Sequence, residues 1–207
     1  MTAKTETTAR RDEETERLIR VIRELNARGF SAQFVETGAE ALSAALARIP
    51  EGSTVMTGSS TTLEQIGLPQ ALRTHGVRFL KDEITAEKDA AKRDRMRKEA
   101  LLADYFLGSV QAITQDGVLV ATDASGSRIA GYAFPAKHVV IIASLNKILP
   151  DLEAAMARAR EVALPLEDAR MKKQGFPGST IGKWLVWERE IAPDRVHVIL
   201  VGEPLGF

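Results

Sequence analysis

Three short stretches carry side chains whose types and spacing could do chemistry. The first is Thr57-Gly58-Ser59-Ser60-Thr61-Thr62, which follows the strand-like Thr54–Thr57 and opens a helical pattern. At such a junction the first helical N–H groups lack partners, so a phosphate or carboxylate is attracted there. Gly58 would let the backbone approach the anion, and Ser59, Ser60 and Thr61 would add hydroxyl donors. The same residues also read as a plain helix cap, with Ser59 or Ser60 capping and Glu64 as a capping-box partner. The second stretch is Asp123-Ala124-Ser125-Gly126-Ser127-Arg128, where an apolar strand ends and a helix begins. Ser125, Gly126 and Ser127 make another candidate anion site, and Asp123 reads either as a general base or as a capping aspartate. The third is Ser144-Leu145-Asn146-Lys147, directly after the apolar run at 139–143. There Asn146 could contact the ligand and Lys147 could neutralise an anion or polarise a carbonyl; a merely solvated lysine is the plain alternative. All three sit where strands end, which is where parallel α/β sheets bind ligands. Their convergence, more than any one motif, argues for a shared site.

The elements that must position these stretches alternate along the chain. Leu18, Ile22 and Leu25 recur at helical spacing before Gly29. Residues 33–36 read as a strand, and Leu42, Ala45, Leu46 and Ile49 as one face of a helix ended by Pro50 and Gly52. Residues 77–80 predict a strand and 85–102 one long helix. Residues 105–107 and 118–120 predict strands, with Asp116-Gly117 as a turn between them. A short helix is expected over Ser127–Ala133 and a doubly buried strand over 139–143. Leu152, Ala155, Met156, Ala159, Val162 and Ala163 give an amphipathic helix. Residues 165–183 lack periodicity, and 184–190 and Val196–Val201 predict a C-terminal antiparallel strand pair. The expected architecture is therefore α/β: a Rossmann-like, mostly parallel sheet flanked by helices. A polar tail over residues 1–11 precedes a single domain over 12–207.

Composition narrows the function classes. Lys+Arg and Asp+Glu both number 28, so net charge points neither to nucleic acid nor to an anionic membrane. There are no cysteines, which removes disulfides, thiolate nucleophiles and cysteine-ligated iron–sulfur clusters from this chain. No cofactor is evident from motifs. The apolar run at 139–143 is far too short to span a bilayer, and the N-terminus has no secretory apolar core, so a cytoplasmic protein is expected.

Sharper motifs fail on inspection. Gly178-Ser179-Thr180-Ile181-Gly182-Lys183 lacks the glycine and the hydroxyl residue of a phosphate-binding P-loop, with Pro177 and Trp184 in those places. There is no dinucleotide fingerprint and no serine-hydrolase elbow. His75, His138 and His197 form no ligand motif, are expected at surface or turn positions, and give no metal site. Residues 87–99 interleave Asp89 with Arg93 and Asp94 with Lys98, the pattern of a solvated helix. Trp184 and Trp187 differ by three on a strand and so face opposite ways.

Several of these segments together resemble the LUD (lactate utilisation) domain family. The resemblance lies in Ala103-Asp104-Tyr105-Phe106-Leu107, Ala112-Ile113-Thr114, Asp116-Gly117, Ser127-Arg128-Ile129-Ala130 and Asn146-Lys147. Gly58-Ser59-Ser60 with Thr62-Leu63 and Ile66-Gly67 is similar to an earlier family motif, and residues 198–207 to its C-terminus. The resemblance implies a fold related to the glucosamine-6-phosphate deaminase, ribose-5-phosphate isomerase and CoA-transferase group, whose phosphosugar isomerases hold phosphate in a Gly-Ser-Thr loop. It also implies a place beside iron–sulfur subunits of a lactate-oxidising system, with any cluster held by those partners.

Three functional readings follow. The chain is an accessory or ligand-binding component of organic-acid use, holding a small anionic metabolite through Ser59, Ser60, Asp123, Ser125, Ser127, Asn146 and Lys147. Alternatively it is a free-standing sugar-phosphate isomerase or acyl/CoA transferase, with Asp123 as base, Lys147 as electrophilic helper, and Asp116 and Glu83 in reserve. The third reading is an interaction-only module docking through the edge pair at 184–201. A homo-oligomer is compatible with each.

Overall fold

The computed structural model describes the backbone from Ala3 to Phe207; the side chains of residues 3–12 and 14 are outside the described residues. In chain order the elements are α1 (Ala3–Ala27), β1 (Ser31–Val35), α2 (Gly38–Leu46), β2 (Thr54–Thr57), α3 (Thr61–Gln65), α4 (Leu68–Leu72), β3 (Arg78–Phe79), α5 (Leu80–Ala86) and α6 (Ala90–Glu99). Then come β4 (Tyr105–Gly108), β5 (Ala112–Thr114), β6 (Leu119–Asp123), α7 (Ser127–Ala133), β7 (His138–Ser144), β8 (Ile148–Leu149), α8 (Leu152–Arg158), α9 (Leu164–Lys173), β9 (Lys183–Trp187) and β10 (Val196–Val201). The expected tail over 1–11 lies largely outside the described residues: Met1 and Thr2 entirely, the rest in their side chains. No helix among the described residues is long and apolar enough to cross a membrane.

Six strands form a parallel sheet in the order β1-β10-β7-β4-β2-β3. Its central strands are apolar on both faces, as a parallel sheet covered on both sides requires. Along β7, Val139, Ile141 and Ala143 enter one core while Val140 and Ile142 enter the other. Strand β10 splits likewise, with Val196, Val198 and Leu200 against Ile199 and Val201. One core is closed by Ala41, Ala45, Leu63, Leu68 and Leu72 from α2, α3 and α4. The other is closed by α1 and α7 together with a second sheet, ordered β8-β5-β6-β9. That sheet turns Ile113, Leu119 and Ala121 inward; its outer face, with Ala112, Val118 and Val120, packs on Ala155 of α8.

The mostly parallel α/β architecture is as the sequence predicts, but the strand at the C-terminal end pairs differently. Strand β9 is antiparallel, yet its partner is β6, from Leu119↔Trp187 to Asp123↔Lys183. Strand β10 instead enters the centre of the main sheet between β1 and β7. The reason is burial: Val196 and the consecutive Val198, Ile199, Leu200 and Val201 are apolar and need cover on both faces, which an edge hairpin cannot supply. The two tryptophans do face opposite ways, Trp187 into the inter-sheet core and Trp184 outward under the Arg160 guanidinium, 4.6 Å from the ring.

Two helical expectations also change. Residues 85–102 break at Glu87–Asp89 because Asp89 caps a new helix, its carboxylate accepting from the Lys92 N–H at 2.6 Å. Residues 165–173, read as aperiodic, are helical and continue the run from α8 through a π turn at Ala159–Ala163, with Pro165 just past that turn, where the regular hydrogen-bond ladder is already interrupted. Of the histidines, His138 and His197 lie in strands: His138 stacks on Tyr105 at 4.9 Å, and His197 is half-buried. His75 is part-buried, with its Nε2 3.1 and 3.0 Å from the carbonyl oxygens of Leu46 and Ile49.

Helix α7 reaches the sheet so closely that β4 must present glycine. A Cβ on Gly108 would lie 1.6 Å from the Tyr132 hydroxyl, which donates to the Ser109 carbonyl at 3.1 Å. Gly108→Ala should therefore displace a fully buried tyrosine and lower stability by at least about 1–3 kcal/mol. Chemical denaturation reads this directly; an unchanged midpoint would show that α7 is not held at this distance.

Candidate functional site

The C-terminal ends of β2, β4 and β6, with the segment after β7, open on one cleft of about 750 Å³, well within the range of small-molecule sites. Gly58, Ser59, Ser60, Thr61, Asp123, Ser125, Ser127 and Lys147 line it, so three stretches far apart in sequence border one space. Gly126 and Asn146 are not in the lining. Gly126 sits behind it in a left-handed conformation, φ +94°, at the start of α7, and Asn146 is exposed. The reserve carboxylates lie elsewhere: Asp116 pairs with Arg28 at 2.8 Å and Glu83 with Arg78 at 2.7 Å.

Lys147 is the most unusual group in the cleft. Its side chain is 1% exposed, and its ammonium meets only hydroxyls, Thr62 Oγ1 and Ser109 Oγ, each at 3.1 Å. No carboxylate pairs with it among the described residues. Burial, aided by the Arg158 and Arg128 guanidinium charges, pushes its pKa down to about 7. Thr62 comes from α3 and Ser109 from the end of β4, so this lysine joins three chain segments. A Cβ at Gly206 would sit 3.1 Å from Nζ, so the C-terminal segment packs closely on the amine.

The hydroxyl loop after β2 has a double character. Ser60 is the N-cap of α3, its Oγ accepting from the Leu63 N–H at 3.4 Å. Helix α3 is only five residues long, so its dipole gives an anion little. The side chains offer more. Thr57 Oγ1 and Thr61 Oγ1 are buried without a hydrogen-bond partner, and Thr57 is 1% exposed. Buried hydroxyls are normally satisfied, and these two line the cleft.

Of the two roles the sequence leaves open for Asp123, the geometry gives it the cap. Its Oδ1 accepts from the N–H groups of Ser125 and Gly126 at 2.9 and 2.8 Å, and Oδ2 from that of Arg128 at 3.0 Å. Burial alone would raise its pKa, but these backbone donors and the Arg128 charge hold it below the usual carboxylate value. A carboxylate so engaged is a weak proton acceptor. What Asp123 does is aim Arg128, whose guanidinium donates to the Thr122 carbonyl and lies 3.8 Å from Asp123 Oδ2. The Arg128 stem crosses Gly58 so closely that a Cβ there would be 2.5 Å from its Cδ.

Arg128, Thr57 and Thr62 are thus site residues that lie inside the singled-out stretches without having been given a role there, and Ser109 lies outside all three. Lys81 and Arg97 join them from α5 and α6; burial lowers the pKa of Lys81, with Glu64 opposing. The other lining carboxylates are already engaged: Glu167 with Arg170 and Asp168 with Lys172, both at 2.7 Å. With Asp123 on Arg128 as well, the cleft's lining carries more positive than available negative charge among the described residues. Its outer wall is α9 with residues 177–181, where Asp168 Oδ1 accepts from the Ser179 N–H at 2.9 Å. The segment that failed as a P-loop thus still borders the site.

The LUD domain family model matches residues 18–201, and the chain belongs to that family. A DUF162 family protein from Deinococcus radiodurans has the same fold: TM-score 0.56, 14% identity, covering 91% of this chain and 98% of that one. Looser structural likenesses are ribose 5-phosphate isomerase A from Methanocaldococcus jannaschii and eIF2B beta from Chaetomium thermophilum. The isomerase gives TM-score 0.35, 11% identity and 67% and 66% coverage; eIF2B beta gives 0.35, 13%, 55% and 43%. No functionally curated protein matches the chain.

The buried amine should show in stability. Its folded pKa of about 7 lies below the ordinary 10.5, so below about pH 7 the full cost of burying charge is present, and it fades as pH rises toward 10.5. Lys147→Met should melt higher than the parent near pH 6, by about 1–4 kcal/mol, with the gap closing by about pH 10; a lower melting point for the variant near pH 6 would count against a strained ammonium. Asp123→Asn should lose about 0.5–2 kcal/mol at neutral pH. Because the aspartate is held below its ordinary 3.8, that difference should shrink on acidification through and below this value, which thermal melts would follow.

Proposed function

We propose that this LUD-domain chain is a ligand-binding component of organic-acid metabolism, holding a small phosphate- or carboxylate-bearing anion in the strand-end cleft. The observation that carries the reading is the Lys147 ammonium, buried against Thr62 and Ser109 with no carboxylate among the described residues to balance it. Ionised groups are almost never left unbalanced in a low-dielectric wall without a functional reason. Arg128, Lys81 and Arg97 add positive charge around the same space, while Thr57 and Thr61 offer hydroxyl hydrogens. In this reading the anionic end of the ligand lies between the β2 and β6 loops, and Lys147 meets its other end.

The family name supplies the link to lactate, and lactate oxidation needs an electron acceptor. This chain has no cysteine to hold an iron–sulfur cluster, so in this role it works beside subunits that do. Its own contribution is to bind and present the organic acid in a cleft partly shielded from water.

Thermal melts against orthophosphate, ribose 5-phosphate, lactate, pyruvate and coenzyme A thioesters test this. One anion class should raise the melting point saturably; at a hundred times its dissociation constant the gain is about 2.7 kcal/mol. The shift should be lost in Arg128→Met. Absence of a shift with every compound would dispose of a preformed anion site.

A further inference from the structure

The surroundings that leave Lys147 without a balancing charge also suit a reacting amine. A lysine used only to hold an anion works best when its proton is secure, with a carboxylate nearby or with water around it. Lys147 has neither. Its two contacts, Thr62 and Ser109, are hydroxyls, which can each donate or accept. They can accept from an ammonium, and they can equally donate to the lone pair of a neutral amine. The hydroxyls themselves lie 3.4 Å apart, so a proton can pass between them. Burial beside Arg128 and Arg158 brings the amine to about half deprotonated near neutral pH.

The amine is also held in place. It projects from the turn at Leu145–Lys147, which is tied to the end of β7, and Gly206 packs close against it. The open side is the cleft, where Arg128 gives a second, separate cation for the ligand's charged group. Two separate positively disposed groups suit a ligand with two different ends, one anionic and one electrophilic.

Resting on the anion-binding reading, we propose that Lys147 is a nucleophile that condenses with the carbonyl carbon of a small ketone- or aldehyde-bearing anion to form an imine in the cleft. The nitrogen lone pair forms the C–N bond as the C=O π pair moves to oxygen. A proton passes from nitrogen to that oxygen through the Thr62 and Ser109 hydroxyls, giving a carbinolamine. Loss of the second nitrogen proton and departure of the hydroxyl as water form C=N. Amine plus carbonyl thus gives imine plus water, with no oxidant or reductant consumed.

The full chain would be incubated with pyruvate or with dihydroxyacetone phosphate, ketones carrying a carboxylate or a phosphate, and reduced with sodium borohydride. Intact mass and peptide mapping then locate any stable secondary amine. One adduct on Lys147 is expected, absent in Lys147→Arg and in Lys147→Met, whose folding circular dichroism would verify. Its yield should climb with pH around 7 instead of around the ordinary lysine value. Which ketone labels the protein identifies the anionic group the cleft accepts. If either ketone raises the melting point but no adduct forms on Lys147, or labelling is spread over surface lysines, the imine is overturned and anion binding stands. If neither ketone stabilises the protein and none labels it, both readings fall for this ligand class.

Discussion

A parallel strand covered on both faces can bring polar atoms into contact with solvent or ligand only at its ends, and this constraint governs the molecule. Strands β7 and β10 sit at the centre of the main sheet and are almost wholly apolar. Each face then needs its own cover, which is why α2 to α4 close one side and α1, α7 and a second sheet the other. Once both faces are sealed, function is driven to the rim. Ser144, the last residue of β7, shows the change of regime: it is fully buried, but its hydroxyl donates to the Glu203 carbonyl at 2.6 Å and accepts from the Leu205 N–H at 2.8 Å. That pair of bonds ties the segment after β10 to the end of β7 and brings Phe207 to the border of the cleft.

The second sheet is more than a lid on the core. By extending β6 to Asp123 it delivers the start of α7, with Arg128, to the same rim as the β2 loop. Two sheets with different strand directions therefore share one site, the parallel sheet giving Lys147, Ser109 and the threonines, the mixed sheet giving Arg128. The electrostatics follow from which acids are already committed. Asp123, Glu167 and Asp168 each have donors of their own, so the cleft keeps its positive bias even though the chain as a whole is neutral.

The parts of this arrangement legible in the sequence are those written in local patterns. Alternating apolar runs and helical spacing give the α/β class, and hydroxyl- and glycine-rich junctions give three of the cleft's borders. Pairing partners were not legible, because β9 and β10 differ in burial by tertiary placement and nothing between them says that one crosses to another sheet. The short β5, three residues long, escapes periodicity altogether. Arg128 lies inside a stretch the sequence singles out, yet its role depends on passing over Gly58, seventy residues away in the chain. Ser109 carries no motif and matters only because Lys147 arrives beside it. Asp123 shows the opposite case: its residue type and position suggest both a base and a cap, and only the count of backbone donors decides.

The crossing of Gly58 by the Arg128 stem has a consequence for how such a site can diverge. Each residue occupies space the other would need, so neither can be exchanged independently. A lineage acquiring a side chain at position 58 must move or shorten the side chain at position 128, and in doing so displaces or loses a cleft cation. Mutational paths to a new ligand preference are therefore channelled through paired exchanges at these two loops, and a descendant that made only one of them would inherit a clash or a gap where a binding surface had been.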